Sequence, residues 1–359
     1  NKIYNIHHDL LIELNCNKND IFEELLLDLK KLIDNKQKIK AISYGEILST
    51  SLVSLYFSEK KKLDIELLNV GDFLKSDREN DNNNLYLNAK YKADLEKFKK
   101  VNTKNIVITQ GFIAKTPLDK TCLLGRGGSD TSAAIIANML DAKYLEIWTD
   151  VNGVYTADPN IIKNAQIIDN ISYNHAQELA AMGAKVLHPY CILPCHMKNI
   201  PIKIKNTYDP SNKKFTEINK KVSNGNNIYA ITSQGNVTIY NITSLNMWNN
   251  YGFVYDIFEK FSNNGIDINI INTSQFTIST TTDHKNINKL NEIKKDLEKK
   301  YQVEMIQDCS IVSVISDSIK DNEFLVDINR ISQKYKGIEM IHHSANDMTL
   351  SFVMRNYNS

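Results

Sequence analysis

The chain has 359 residues, enough for one large domain with one or two smaller ones. Its 43 basic and 42 acidic residues leave a net charge of +1, which gives no argument for a nucleic-acid partner. No apolar run approaches the ~20 residues that a membrane span needs, and five cysteines, an odd number without framework spacing, fit a reducing compartment.

In chain order, Ile21 to Leu32 carries apolar residues at helical spacing, and Ile47 to Phe57 repeats the pattern after a Tyr44-Gly45 turn. Glu46, at the start of that second helix, reads on its own as a solvated acid favoured by the helix dipole. Asp77 to Asn84 is a polar surface loop. Ile106 to Thr109 is an apolar strand ending at Gly111, and Thr116 to Lys120 is a hairpin turn into Cys122-Leu123-Leu124.

Next comes Gly125-Arg126-Gly127-Gly128-Ser129-Asp130, running into the helical Thr131 to Ala137. Glycines let the backbone come close to a ligand, and a helix start adds free N–H groups and a positive dipole end. Arg126 adds a planar fork suited to a carboxylate or a phosphate. An ordinary glycine turn capped by Ser129 or Asp130 would look the same in isolation.

Glu146 to Thr149 reads as a short strand, with Asp150 and Gly153 in the turn at its end. Loops at strand ends of α/β sheets are where ligands bind. The run continues through Val154-Tyr155-Thr156-Ala157-Asp158-Pro159-Asn160. Glu178 to Pro189 reads as a helix stopped by Gly183, with Lys185 just past the stop. An anion loop, a strand-end Asp and a lone Lys, in that order, suit nucleotide phosphate chemistry.

His188, Cys191, Cys195 and His196 offer two imidazoles and two thiols in one stretch. The Cys-x3-Cys spacing is poor for a zinc finger, and the cysteines read as small buried hydrophobes instead. Ile200 to Ile204 is a further strand. The alternation of strands and helices predicts an α/β sandwich with a mostly parallel sheet.

After Pro210 the composition turns polar, which places a first domain at 1–217, a linker at 218–227 and a second region at 228–359. That region reads as strand Val237 to Ile242, helix Phe253 to Asn263, and strands Ile266 to Asn272 and Thr277 to Thr281. Helix Ile287 to Lys299, strand Ser310 to Ile315, helix Glu323 to Tyr335 and strands Ile338 to His342 and Met348 to Val353 complete it.

Together these segments resemble the aspartate kinases of the amino acid kinase family. Ser43-Tyr44-Gly45-Glu46 resembles that family's Ser-Phe-Gly-Glu segment, and Gly111-Phe112-Ile113 with Gly125 to Asp130 matches its glycine-rich substrate region. The Asp-x-Gly-Val-Tyr-x-x-Asp-Pro element marks the superfamily only. The loop at 125–130 and Gly183 to Pro189 point to aspartate kinases. The βαββαβαββ order that follows resembles tandem ACT modules, ferredoxin-like units that bind amino acids and pair across subunits.

The resemblance implies a three-layer sandwich followed by two ACT modules. It also implies transfer of phosphate from ATP to the side chain of L-aspartate, which opens lysine, threonine and methionine biosynthesis. Arg126 would hold the α-carboxylate and Glu46 the α-ammonium, with Gly127, Gly128, Ser129 and Asp130 completing the pocket. Thr149, Asp150, Tyr155, Asp158 and Asn160 would line the nucleotide, with Lys185 near the phosphates. Asp130 and Lys185 would be the catalytic residues, and Mg²⁺ would bridge the phosphates. Asn160 stands where relatives carry Arg.

An effector, lysine or threonine, would sit among Met247, Phe253, Val254, Asp267, Asn269, Thr273, Ser274 and Gln275 at a homodimer interface. Asn269 and Gln275 replace the usual Asp and Glu, and Asp267 is expected on the opposite face of the strand. The implied compartment is the cytoplasm, or a plastid. The family's Lys-Phe-Gly-Gly loop has no counterpart here, and the second ACT module lacks its last helix. The chain as given is therefore expected to be inactive. The competing reading is an ACT-containing amino-acid-binding homologue without kinase activity.

Overall fold

A computed structural model describes residues 2–16, 20–80, 85–87, 89–101, 106–183, 186–220, 228–245, 251–317, 319, 326–327, 330, 333–334, 337–343 and 348–356. The chain divides into two compact units. One holds Asn1–Val151, Leu187–Asn212 and Glu217–Lys221; the other holds Asn152–Val186, Lys213–Thr216 and Val222–Ser359. Compaction thus groups residues 152–186 with the C-terminal region, whereas composition alone assigns them to the domain before it.

The chain opens with helices α1 (Lys2–Glu13), α2 (Asp20–Asp34) and α3 (Lys38–Lys60). Strands β1 (Ile65–Leu68), β2 (Leu74–Ser76) and β3 (Tyr91–Ala93), helix α4 (Leu95–Val101) and strand β4 (Ile106–Thr109) follow. Next are β5 (Ile113–Lys115), β6 (Thr121–Leu123), α5 (Gly128–Met139) and β7 (Leu145–Thr149). Then come β8 (Asn170–Ser172), α6 (Tyr173–Ala181), α7 (Pro189–Met197), β9 (Ile202–Asn206) and β10 (Thr216–Asn219).

In the first unit β1 pairs parallel with β4, and β7 pairs parallel with β9. β5 and β6 form the expected hairpin. The core gathers Val70, Phe73, Leu74, Ala114, Cys122 and Leu123, all fully buried, under partly buried Ile135 and Ile136 of α5. A second cluster, Leu11, Phe22, Leu26, Leu29, Leu48 and Leu52, joins the first three helices.

The expected turn at Tyr44-Gly45 is absent, because α3 runs through it. An added Cβ at Gly45 would meet nothing within 4 Å, so no close approach demands glycine there. One glycine costs a helix about 1 kcal/mol, and burial of Leu48 and Leu52, one turn apart on α3, outweighs it. Glu46 is consequently mid-helix rather than at a helix start.

The second unit carries β11 (Ile228–Thr243), α8 (Phe253–Asn263), β12 (Ile271–Thr273) and β13 (Thr277–Thr282). α9 (Ile287–Glu298), β14 (Gln302–Ser316), β15 (Ile338–His343) and β16 (Thr349–Arg355) follow. The sheet order is β12-β13-β11-β14-β16-β15. Its first four strands, read with α8 and α9, make a βαββαβ unit in ferredoxin-like order. Fully buried Tyr240, Ile242, Ile257, Ile278 and Ile293 and near-buried Phe261, Leu290 and Leu297 fill the space between that sheet and its helices.

β11 and β14 are each long enough to serve twice. Residues 237–243 of β11 pair with 302–309 of β14, and 228–234 pair with 311–316, with register shifts around Gln234 and Val237 marking the change. The second half of β14 then pairs with β16, and β16 with β15. The second module therefore borrows its edge strand from the start of β11, and the same strand order recurs across it.

Two expectations shift here. The strand expected over Ile266 to Asn272 is regular only at Ile271–Thr273. Before it, Ile266 and Ile270 turn into the core while Asn269 N–H donates to Thr281 O at 2.8 Å. The helix expected over Glu323 to Tyr335 lies largely outside the described residues.

Candidate active site

The glycine-rich loop is built by backbone conformation. Gly125 and Gly127 have φ of 59° and 63°, the left-handed region that only glycine enters without strain. Gly127 caps α5, so the first N–H groups of that helix open onto the loop. Arg126, between the two glycines, is exposed, and Gly128 is buried against Phe112 and Leu124.

Three segments of the first unit meet beside it. Ser129 Oγ donates to Glu46 Oε1 over 3.5 Å, a long hydrogen bond from α5 to α3. The Gly111 backbone also hydrogen-bonds the Glu46 carboxylate. A Cβ on Gly111 would stand 3.0 Å from Ser129 Cα, a tight contact, so the segment after β4 passes close against α5. Burial raises the Glu46 carboxyl above its ordinary value, and the bonds from Ser129 and Gly111 pull it partly back. Asp130, in the first turn of α5, is likewise raised by burial.

Gln110 escaped sequence reasoning. It is buried, accepts from Val70 N–H at 3.0 Å and donates to Thr50 Oγ1 at 3.2 Å. Thr50 in turn donates to the Glu46 carbonyl at 2.7 Å. Gln110 thus fixes α3 against β4 one turn beyond Glu46. Its position at a strand end before Gly111 was the one signal available.

Of the nucleotide-side residues, Thr149 and Asp150 close β7 in the first unit, with Thr149 Oγ1 donating to Asp150 Oδ1 at 3.1 Å. Asp150 is exposed, an oxygen donor suited to a hard cation. Tyr155, Asp158 and Asn160 belong to the second unit. There Gly153 packs on Thr216, whose Oγ1 would be 2.3 Å from an added Cβ and accepts from Val154 N–H at 2.8 Å. The Asp158 carboxylate accepts from Asn160 N–H and Nδ2 at 2.9 and 3.0 Å, so Asn160 closes a turn onto it. A cavity of about 580 Å³ is lined by Asn152, Tyr155, Gln166, Ile167, Asp169 and Lys214. Lys185 lies outside the described residues.

Cys191 and Cys195 are fully buried on α7, which packs along α5, and burial pushes the Cys195 thiol to about 12. They fill space as small hydrophobes. Among the described residues no group of three His, Cys, Asp or Glu is arranged to hold a metal.

The effector candidates also fall in the second unit. Val254, Asp267, Asn269, Thr273, Ser274 and Gln275 are exposed. The Phe253 side chain is buried in the module core against Tyr301. Met247 lies outside the described residues. Asp267 does not face away from Asn269: both are exposed between buried Ile266 and Ile270, because residues two apart in an extended segment share a side.

The family model of the amino acid kinase family matches residues 8–206. The chain belongs to the amino acid kinase family. Within it, the chain is 30% identical over 336 residues to aspartokinase 3, chloroplastic, of Arabidopsis thaliana, covering 87% of this chain and 58% of that relative. It is 38% identical over 180 residues to the lysine-sensitive aspartokinase 3 of Escherichia coli, covering 50% of this chain and 40% of that one. The chain thus spans about half the length of these relatives. A solved structure of E. coli aspartokinase III in complex with aspartate and ADP superimposes with a TM-score of 0.84 at 26% identity, over 99% of this chain and 82% of that one. No helix among the described residues is long and apolar enough to cross a membrane.

Proposed function

We propose that this amino acid kinase is an aspartate kinase, transferring the γ-phosphoryl of ATP to the side-chain carboxylate of L-aspartate. The observation that carries the reading is the meeting of Glu46, Gly111 and Ser129 at the glycine-rich loop that also carries exposed Arg126; a free α-amino acid needs an anion and a cation of this kind. The solved E. coli relative, bound to aspartate and ADP, supports it.

The acceptor carboxylate is already a nucleophile at neutral pH, so the site needs no general base. Arg126 takes the α-carboxylate as a two-pronged pair, and Glu46 takes the α-ammonium. Ser129, Asp130, Gly127 and Gly128 close around the amino acid. A side-chain oxygen then attacks the γ-phosphorus, the bond to the bridging oxygen breaks, and ADP leaves. Lys185 would neutralise charge on the phosphates, and Thr149, Asp150, Tyr155, Asp158 and Asn160 would hold the nucleotide. Mg²⁺ would screen the phosphates, with Asp150 its protein ligand. The ferredoxin-like modules would bind an amino-acid effector, lysine or threonine, and pair two subunits.

The test is a coupled ADP-release assay, with hydroxylamine trapping of the acyl phosphate, on the protein expressed from its native gene. Aspartate should support both signals. Equal or faster turnover of glutamate or UMP would overturn the assignment.

A further inference from the structure

We propose that His188 is a positioning residue for the substrate loop: its ring, seated on Gly127, holds the left-handed turn that presents Arg126. The inference rests on the aspartate kinase reading and adds a residue to it.

A glycine populates positive and negative φ about equally, so a glycine at 63° does not hold itself there. Something outside the loop must. A Cβ built on Gly127 would lie 2.2 Å from His188 Cβ, 2.5 Å from Cγ and 2.9 Å from Cδ2. The His188 side chain, by its Cβ and then the Cγ–Cδ2 edge of its ring, therefore occupies the space beside Gly127 that a side chain there would otherwise take. Arg126 is exposed, so its direction follows from the backbone beneath it rather than from burial.

His188 is itself well anchored. It heads α7, with Leu187 buried before it and Pro189 at the first helical position. α7 is fixed to α5 by buried Cys191 and Cys195 and by Asn138 Nδ2 donating to Pro194 O at 2.6 Å. The ring packs against Tyr190 with centroids 5.1 Å apart. One helix thus braces the start of the other through this contact.

The alternative role, a helix cap, is a poor fit. His188 Nδ1 accepts from Tyr190 N–H at 3.4 Å, a long bond, and Ser, Asp or Asn would cap better. Burial, then the neighbouring Arg126 charge, hold the imidazole below its ordinary value. A neutral ring can rest beside a guanidinium that must remain free for an anion.

Three variants of the natively expressed enzyme separate the roles. His188→Ala removes ring and acceptor, His188→Asn keeps a capping acceptor, and His188→Phe keeps a ring. Ala and Asn should raise the aspartate KM by on the order of ten- to a hundredfold, with the ATP KM unchanged and Phe close to the natural enzyme. Restoration by Asn rather than Phe, an equal rise in both KM values, or no change would overturn the proposal. Thermal melting identifies an Ala variant that fails to fold, in which case the Asn–Phe contrast decides. If the natural enzyme does not turn over aspartate, the functional reading has failed. A crystal structure of His188→Asn then still judges this inference: Gly127 should leave positive φ or Arg126 should shift, and an unchanged loop would overturn it.

Discussion

Arg126 sits between two glycines that the sequence displays, while the contacts that set the surrounding elements are not written locally. Glycines at 125 and 127 announce a left-handed loop. Gln110 and His188 do not announce the contacts they make, because those contacts come from residues distant in the chain. Glu46 was ambiguous in isolation, and its mid-helix position, facing Ser129, removes the helix-start explanation. Arg126→Ala should lower kcat/KM for aspartate by roughly ten- to a hundredfold, since a charged hydrogen bond contributes about 1.5–3 kcal/mol. Arg126→Lys should recover little of it, as a point charge cannot replace two parallel donors. Near-normal kinetics in either variant, measured with aspartate as the varied substrate, would count against the assignment. Glu46 adds a pH signature. Its folded carboxyl is raised, so the stability it contributes is present below the unfolded value and lost as pH rises through the folded one. Binding an ammonium needs the opposite state, the carboxylate. The aspartate KM should therefore climb on acidification from a pH above the ordinary glutamate range, with no loss of folding stability from this group. Glu46→Gln should flatten that limb of the KM–pH profile, and an unaltered limb would exclude Glu46 as its source.

At the level of elements, periodicity found α2, α5, α8, α9 and strands such as β4, β7, β9 and β13, gave no reading of α1, β1 to β3, α4, β8, α7 or β10, and misplaced ends where tertiary contacts override a local signal. The Tyr44-Gly45 pair reads as a turn, yet buried leucines carry the helix through it. Helix α6 was read from Glu178, but it begins at Ser172, whose Oγ accepts from His175 N–H. Its packing was invisible in sequence. His175, 4% exposed at its side chain, bonds Ser172 Oγ at 2.6 Å and Asp317 Oδ1 at 2.9 Å. Glu178 accepts from Thr349 Oγ1 at 2.9 Å, and Ser351 Oγ points at Met182 Sδ. Positions 175, 178 and 182 share one helix face, and it lies on strands whose Ser313 and Ser351 are fully buried and bonded to each other at 2.7 Å. Small hydroxyl residues let the helix approach closely, and Gly183 at φ 102° then ends it, 3.3 Å from Gln234 Cβ for an added Cβ. His175→Ala leaves a cavity and strips the Asp317 carboxylate of a partner. Asp317 is 50% exposed and can rehydrate, which limits the cost to about 1–2 kcal/mol. Urea denaturation should show the midpoint falling with an unchanged slope, whereas an unmoved midpoint would mean that the contact is incidental.

For the whole molecule, the ferredoxin-like character of the C-terminal region was readable from the order of its strands and helices. The sharing of β11 and β14 between modules was not, since the sequence reads as strand only over Val237 to Ile242 and Ser310 to Ile315, and polar Ser233 to Asn236 and Gln307-Asp308 mask the other halves. On the proposed reading an effector response would belong to these modules, and two residues bear on it. Asn269 and Gln275 are exposed in the module built by β11 to β14, at positions where the sequence resemblance implies carboxylates in lysine-sensitive relatives. The Asn269 backbone is tied to Thr281, so substitution there changes the side chain without releasing the segment. Neutral amides keep the shape but offer lysine's ammonium groups about 1 kcal/mol per hydrogen bond, against about 1.5–3 for a charged acceptor. That difference is roughly tenfold in affinity per site. Asp267 lies on the same side as Asn269 and can recover part of it. The natively expressed enzyme should therefore be weakly inhibited by lysine or not at all, and Asn269→Asp with Gln275→Glu should strengthen inhibition by one to two orders of magnitude, roughly the product of two sites. Lysine titrations of both proteins at fixed aspartate decide the matter. Half-inhibition of the natural enzyme at micromolar lysine, or a double variant no more sensitive than its parent, would show that the charge of these two positions does not set the response.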